Sequence, residues 1–136
     1  ALPQVIGWHE RGLLPHSAEL TADRRTRLVL ADFFALVREG TLPLSHAVLL
    51  DIDHSPRNLL DPKNGAFYSE EGLEKLAAQL LPGGVFALWS DDAPDEDFLA
   101  RLGIVFESAV AEVVKFPNPL LEKESQSTVY VARRSI

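Results

Sequence analysis

Two short stretches constrain the fold most: "AVLLDID" at 47–53 and "VFALWSDD" at 85–92. Each begins as an apolar run without alternation and ends in carboxylates. A strand that is apolar on both faces must be covered on both, which is the situation in a parallel sheet layered with helices. Between them, residues 69–81 carry a helix pattern. Ser69 is a good N-cap, and Glu70 and Glu71 sit at the positive end of the helix dipole. Leu73, Leu76, Ala77, Leu80 and Leu81 share one face. Pro82, Gly83 and Gly84 read as the stop. Strand, helix and strand in that order imply a right-handed crossover between parallel neighbours.

The flanks extend this pattern. Val5, Ile6, Trp8, Leu13 and Leu14 make a partial helical stripe, which Pro15 and Ser17 break. Residues 28–31 read as a short buried strand with Asp32 at its carboxyl end, and 33–38 as a short helix. Residues 94–102 predict a second amphipathic helix, with Phe98, Leu99 and Leu102 on one side. "AVAEVVKF" and "STVYVARR" alternate and have no helix between them, so they predict an antiparallel hairpin at a sheet edge. The expectation is one α/β domain over 1–136. Its sheet is mostly parallel, with an antiparallel C-terminal edge hairpin.

Composition removes several chemistries. The 136 residues include no cysteine, which excludes disulfides, thiolate metal sites and thiol catalysis. The net charge of −7 argues against nucleic-acid binding and suits a small cationic substrate, although an acidic surface also serves solubility alone. No apolar run approaches the roughly 20 residues of a membrane span. No signal-peptide order is present, so a cytoplasmic address is the default. There is no G-x-G-x-x-G, no G-x-x-x-x-G-K and no G-x-S-x-G. No spacing gathers three metal ligands.

Chemistry is then sought where strands end. In open parallel sheets, ligands sit outside the carboxyl ends of the strands. Asp32, the pair Asp51 and Asp53, and the pair Asp91 and Asp92 all fall there. Such carboxylates accept hydrogen bonds from ribose, adenine amino or ammonium groups, or act as bases. They equally often cap the helix that follows. Asp51 and Asp53 are two apart on an extended chain and are expected to face one side. His54 beside them is a base, a ligand or polar surface. His9 and His16 read as structural or exposed, and Tyr68 and Trp89 as core or pocket wall. A phospho-receiver domain would explain "AVLLDIDHSP" and Lys115. It requires an acidic pair after the first strand and a final helix, and neither is found.

"LVLADFFALV", "AVLLDIDHSP", "GAFYSEEGLEKLAAQLLPGGVFALWSDD" and "STVYVARR", in this order, resemble the later portion of spermidine synthases (polyamine aminopropyltransferases). The closer resemblance is to bacterial spermidine synthase-like proteins of the S-adenosylmethionine-dependent methyltransferase superfamily. It implies a Rossmann-like methyltransferase fold. The N-terminal part of that fold, with its Gly-rich loop and ribose-binding acid, is expected upstream of Ala1. Carried onto this chain, the resemblance makes Asp32 the acid that meets the adenine amino group. It makes Asp51 the catalytic acid that helps deprotonate the attacking amine. Asp53 and His54 are the expected substrate-binding residues, and the polar pair that follows the catalytic acid in the family is replaced here, where Asp51 is followed by Ile52 and Asp53.

The activity so implied is aminopropyl transfer from decarboxylated S-adenosylmethionine to a polyamine, or methyl transfer from S-adenosylmethionine. The adenosyl compound is then a co-substrate, with no permanently bound cofactor. Polyamine and nucleoside are the expected partners, without nucleic acid or membrane, and dimerisation is common in the family. The alternative is a non-catalytic binding or assembly member of the same fold that has lost the nucleoside-binding loop.

Overall fold

Residues 2–120 and 122–136 are described by a computed structural model, which divides into two units, Ala1–Leu36 and Val37–Ile136. The first unit is helical. Helix α1 (Pro3–Glu10) starts on a proline, whose missing N–H would have had no partner in a first turn. Helix α2 (Ser17–Ala22) was not anticipated, because Pro15 and Ser17 read as breakers. Ser17 in fact opens the helix. Its buried Oγ accepts the Leu14 N–H at 3.3 Å and lies 3.2 Å from His9 Nδ1, which ties α2 to α1.

The strand expected at 28–31 does not form. Leu28, Val29 and Leu30 are irregular and 40%, 53% and 60% exposed. A four-residue apolar run is a strand only when a neighbour satisfies its backbone groups, and no described strand pairs with it. Asp32 is therefore a helix cap and not a strand end. Its Oδ1 accepts the Ala35 N–H at 3.2 Å at the start of α3 (Phe33–Glu39), which matches the expected short helix.

The second unit holds the sheet. Strand β1 (Ser45–Leu50) pairs in parallel with β2 (Leu80–Ser90) through helix α4 (Glu70–Ala78), as the strand–helix–strand order predicts, but the cover expected on both faces is not found, since Leu49 is 79% exposed. Helix α4 stops at Ala78, and the Pro82-Gly83-Gly84 run lies inside β2. There the register jumps from Ser45↔Leu80 to Ala47↔Val85. Gly83 has φ 72°, and a Cβ on Gly84 would fall 2.7 Å from Leu81 O. These glycines thus build a strand irregularity and not a helix stop. Helix α5 (Glu96–Val105) follows, and then the hairpin of β3 (Ser108–Asn118) and β4 (Lys123–Arg133). The strand order is β1-β2-β4-β3, with β4 antiparallel to both of its neighbours. With residues 28–31 outside the sheet, the parallel pairing is confined to β1 and β2.

The core lies between the sheet and helices α4 and α5. Phe86 and Leu88 of β2, Tyr130 of β4, Leu73 and Leu76 of α4, and Phe98 and Leu102 of α5 are all fully buried. Phe98 touches Tyr68 and Tyr130 edge-on, with ring centroids 5.7 and 5.0 Å away. Edge-to-face pairs add about 0.5–1.5 kcal/mol each beyond the area they bury. Among the described residues no helix is long and apolar enough to cross a membrane.

Gly72 makes the packing beneath α4 testable. A Cβ there would sit 2.4 Å from the carbonyl oxygens of Ala66 and Phe67, both backbone atoms. Gly→Ala in a helix ordinarily gains about 1 kcal/mol, but forcing a methyl into packed backbone costs about 1–3 kcal/mol. Gly72→Ala is therefore expected to lower the urea midpoint of unfolding. A raised midpoint would show that this close approach relaxes freely.

Candidate functional site at the carboxyl ends of β1 and β2

Because β1 and β2 are parallel neighbours, the chain leaves both on the same border of the sheet. Asp51 through Ser55 depart from one strand, and Asp91 and Asp92 from the other. Extended backbone ends at Leu50, so the two-residue alternation expected for Asp51 and Asp53 does not apply. Asp51 is exposed, whereas Asp53 is buried at 3% exposure. The expectation that they face one side is corrected on that ground.

Asp53 is consumed by its own loop. Its Oδ1 accepts the Leu60 N–H at 2.8 Å and Asn64 Nδ2 at 2.9 Å, and its Oδ2 accepts the Tyr68 hydroxyl at 2.9 Å. A buried carboxylate is tolerable only when donors replace water, and this one has them. The loop between β1 and α4, including the 3-10 turn Pro62–Tyr68, is folded around it. Tyr68, a candidate for pocket or core in the sequence, belongs to the core.

Burial first, and the bond to Asp53 next, push the Tyr68 phenol well above its usual range. Tyr130 is raised too, chiefly by burial. The sign follows from proton linkage. Above about pH 10 the unfolded phenol ionises while the folded one keeps its proton, so stability falls as pH rises past that value. Tyr68→Phe is expected to cost about 1–2 kcal/mol near neutrality, through the lost bond to Asp53. It should also flatten the loss of Tm between about pH 9 and pH 11. Parallel slopes for the two proteins in a pH series of melts would contradict this.

The two strand ends are laced together. His54 Nδ1 lies 3.2 Å from Asp91 Oδ2, and the Asp91 N–H donates to the His54 carbonyl at 2.7 Å. Ser55 Oγ donates to Asp92 Oδ2 at 2.5 Å. Trp89 Nε1 reaches Asp91 Oδ1 at 3.4 Å. Arg57 pairs with Asp95 at 3.3 Å, and Asp95 caps α5 through the N–H groups of Asp97 and Phe98. Sequence reasoning marked Asp91 and Asp92 but missed Ser55 and Asn64, because a hydroxyl or amide in a loop carries no periodic signal.

Beside this lacing, Leu49, Leu50, Asp51, Ala87, Leu88, Trp89 and Val129 line an open trough of about 230 Å³. That is below the roughly 300–1,000 Å³ of sites that swallow a drug-sized ligand. Its lining includes one carboxylate, Asp51, and one indole, Trp89. Among the described residues no three His, Asp or Glu side chains gather to hold a metal ion. Asp32 lies in the first unit, exposed, with Oδ1 engaged in its cap.

No protein-family model matches the chain, and no curated protein matches it either. Solved structures do. A probable spermidine synthase from Corynebacterium glutamicum ATCC 13032 superposes with TM-score 0.58 at 18% identity, over 90% of this chain and 44% of that one. Spermidine synthase from Thermotoga maritima gives 0.58 at 19%, over 99% and 44%. Human Methyltransferase-like protein 13, in complex with SAH, gives 0.57 at 17%, over 91% and 57%. The chain thus spans about half the length of the proteins it matches. At these identities the likeness speaks for architecture alone, and on it the chain has the Rossmann-like methyltransferase fold.

Proposed function

We propose that the chain binds an adenosyl sulfonium compound and an amine at the carboxyl border of β1 and β2, and transfers an alkyl group between them. The preferred reaction is aminopropyl transfer from decarboxylated S-adenosylmethionine to a polyamine. Methyl transfer from S-adenosylmethionine uses the same geometry. The observation that carries the reading is the open trough whose lining joins Asp51 and Trp89 to apolar side chains. An alkyl ammonium places its carbon stem on Leu49, Ala87 and Val129, and its charge near a carboxylate and an aromatic face. Asp51 attracts and orients the attacking amine and, as the neighbouring negative charge, assists its deprotonation. Asp32 keeps its proposed role toward an adenine amino group on the sequence resemblance alone. Direct displacement asks little of the protein beyond alignment of the reactants and removal of a proton.

The structural neighbours support this reading by their stated identities, two spermidine synthases and a protein complexed with SAH. Titration calorimetry of the chain with methylthioadenosine and with S-adenosylhomocysteine tests it. Saturable heat is expected, and it should be reduced by Trp89→Ala. No heat up to roughly millimolar ligand, which is binding weaker than about 4 kcal/mol, would overturn the reading and favour the non-catalytic alternative.

A further inference from the structure

His54 is held from one side only. A carboxylate accepts and cannot donate, so in the 3.2 Å contact with Asp91 it is Nδ1 that carries the hydrogen. In the neutral ring, Nε2 is then a free acceptor. It makes no hydrogen bond among the described residues, and the side chain is 54% exposed. Asp91 is itself fixed, through its N–H on the His54 carbonyl at 2.7 Å and through Trp89 Nε1 on its Oδ1 at 3.4 Å. An exposed ion pair of this kind adds at most about 1 kcal/mol of stability. Its consequence is orientation: the carboxylate sets the tautomer and steadies the imidazolium that forms when Nε2 takes a proton.

We propose that His54 Nε2 is the base that receives the proton of the acceptor amine, with Asp91 as its positioning residue. This rests on the transfer reading above. It adds the proton's destination, while Asp51 remains the counter-charge that draws the amine in. Imidazole is the better base for the task, since its ordinary pKa lies about two units above that of a carboxylate.

The acceptor enters as an ammonium. His54 Nε2 takes one N–H proton, and the freed lone pair forms an N–C bond to the carbon next to the sulfonium. The C–S bond breaks with its electron pair passing to sulfur, which leaves as a neutral thioether. The product is a secondary ammonium, and the imidazolium returns its proton to water. Charged groups on the flanking loops are Asp51, Asp53, Arg57, Asp61, Lys63, Asp91, Asp92 and Asp95. Of these, Asp53 is bound by Asn64 and Tyr68, Asp92 by Ser55, and Arg57 by Asp95.

The test uses the 136-residue chain, decarboxylated S-adenosylmethionine and putrescine. His54→Gln is expected to lower kcat by about 100-fold or more and to remove the acid limb of the pH–rate profile. Asp91→Asn is expected to lower kcat by a smaller factor than His54→Gln does, because the imidazole loses the partner that fixes its tautomer. Independently of turnover, putrescine should shift the His54 ¹⁵Nε2 resonance, and Asp91→Asn should redistribute the tautomers. Turnover with kcat and acid limb unchanged in His54→Gln would sink the base assignment and leave the transfer reading standing. A wild-type chain that turns over neither this donor nor S-adenosylmethionine would sink the transfer reading. The His54 assignment falls with it if putrescine leaves Nε2 unmoved, whereas a shifted Nε2 keeps His54 as the amine contact.

Discussion

Asp53→Ala is expected to destabilise the chain by about 3–5 kcal/mol, among the largest losses a single polar substitution produces. The carboxylate is 3% exposed and collects the Leu60 N–H, the Asn64 amide and the Tyr68 hydroxyl. Truncation leaves those donors facing a cavity, and a buried donor without a partner costs about 1–3 kcal/mol. Water entering from the loop side restores some of this, which holds the total near the lower half of the sum. Asp53→Asn keeps the volume and one acceptor, so it should fall between alanine and wild type. Urea unfolding measures both. A loss under about 1 kcal/mol for the alanine variant would mean that the loop is held by something other than this carboxylate.

Phe98→Ala is expected to cost about 3–5 kcal/mol, the range for removing a buried aromatic ring. Phe98 is fully buried on α5 and lies edge-on to Tyr68 and Tyr130. Its loss opens a cavity between the helix, the sheet and the loop built around Asp53. Because Tyr68 touches both Phe98 and Asp53, the two substitutions share a partner. Their combined effect should depart from the sum by about 0.5–3 kcal/mol, as for residues in one network. Strict additivity in a double-mutant cycle would show that the Tyr68 ring and the Tyr68 hydroxyl act independently.

The sequence was most legible where pattern and packing coincide. Phe86 and Leu88 of β2, Leu73 and Leu76 of α4, and Tyr130 and Ala132 of β4 are buried as their spacing selects, whereas Leu49 of β1 is 79% exposed and no residue of β3 is buried. It was least legible where a partner elsewhere decides the local state. Residues 28–31 have strand composition but no ladder to join. The Pro82-Gly83-Gly84 run has the chemistry of a helix stop, yet its neighbour β1 recruits it into β2. Ser17 looked like a breaker and proved to be a helix start. At the candidate site, sequence spacing found the carboxylates but could not sort their environments. Asp51 and Asp53 are near neighbours in sequence, and one faces solvent while the other is walled in by Asn64 and Tyr68. That difference depends on where the strand ends, which the apolar run overstates by the length of the "DID" tail.

The lacing between His54 and Asp91, and between Ser55 and Asp92, joins residues 37 positions apart. The β3–β4 hairpin, by contrast, closes on a short turn. Loop-closure entropy favours local pairings early, and hairpins form within about 1–10 μs. The border that carries the proposed chemistry should thus be the last region to assemble. A chain caught midway through folding would already own its hairpin, yet it would have nothing with which to grasp an amine.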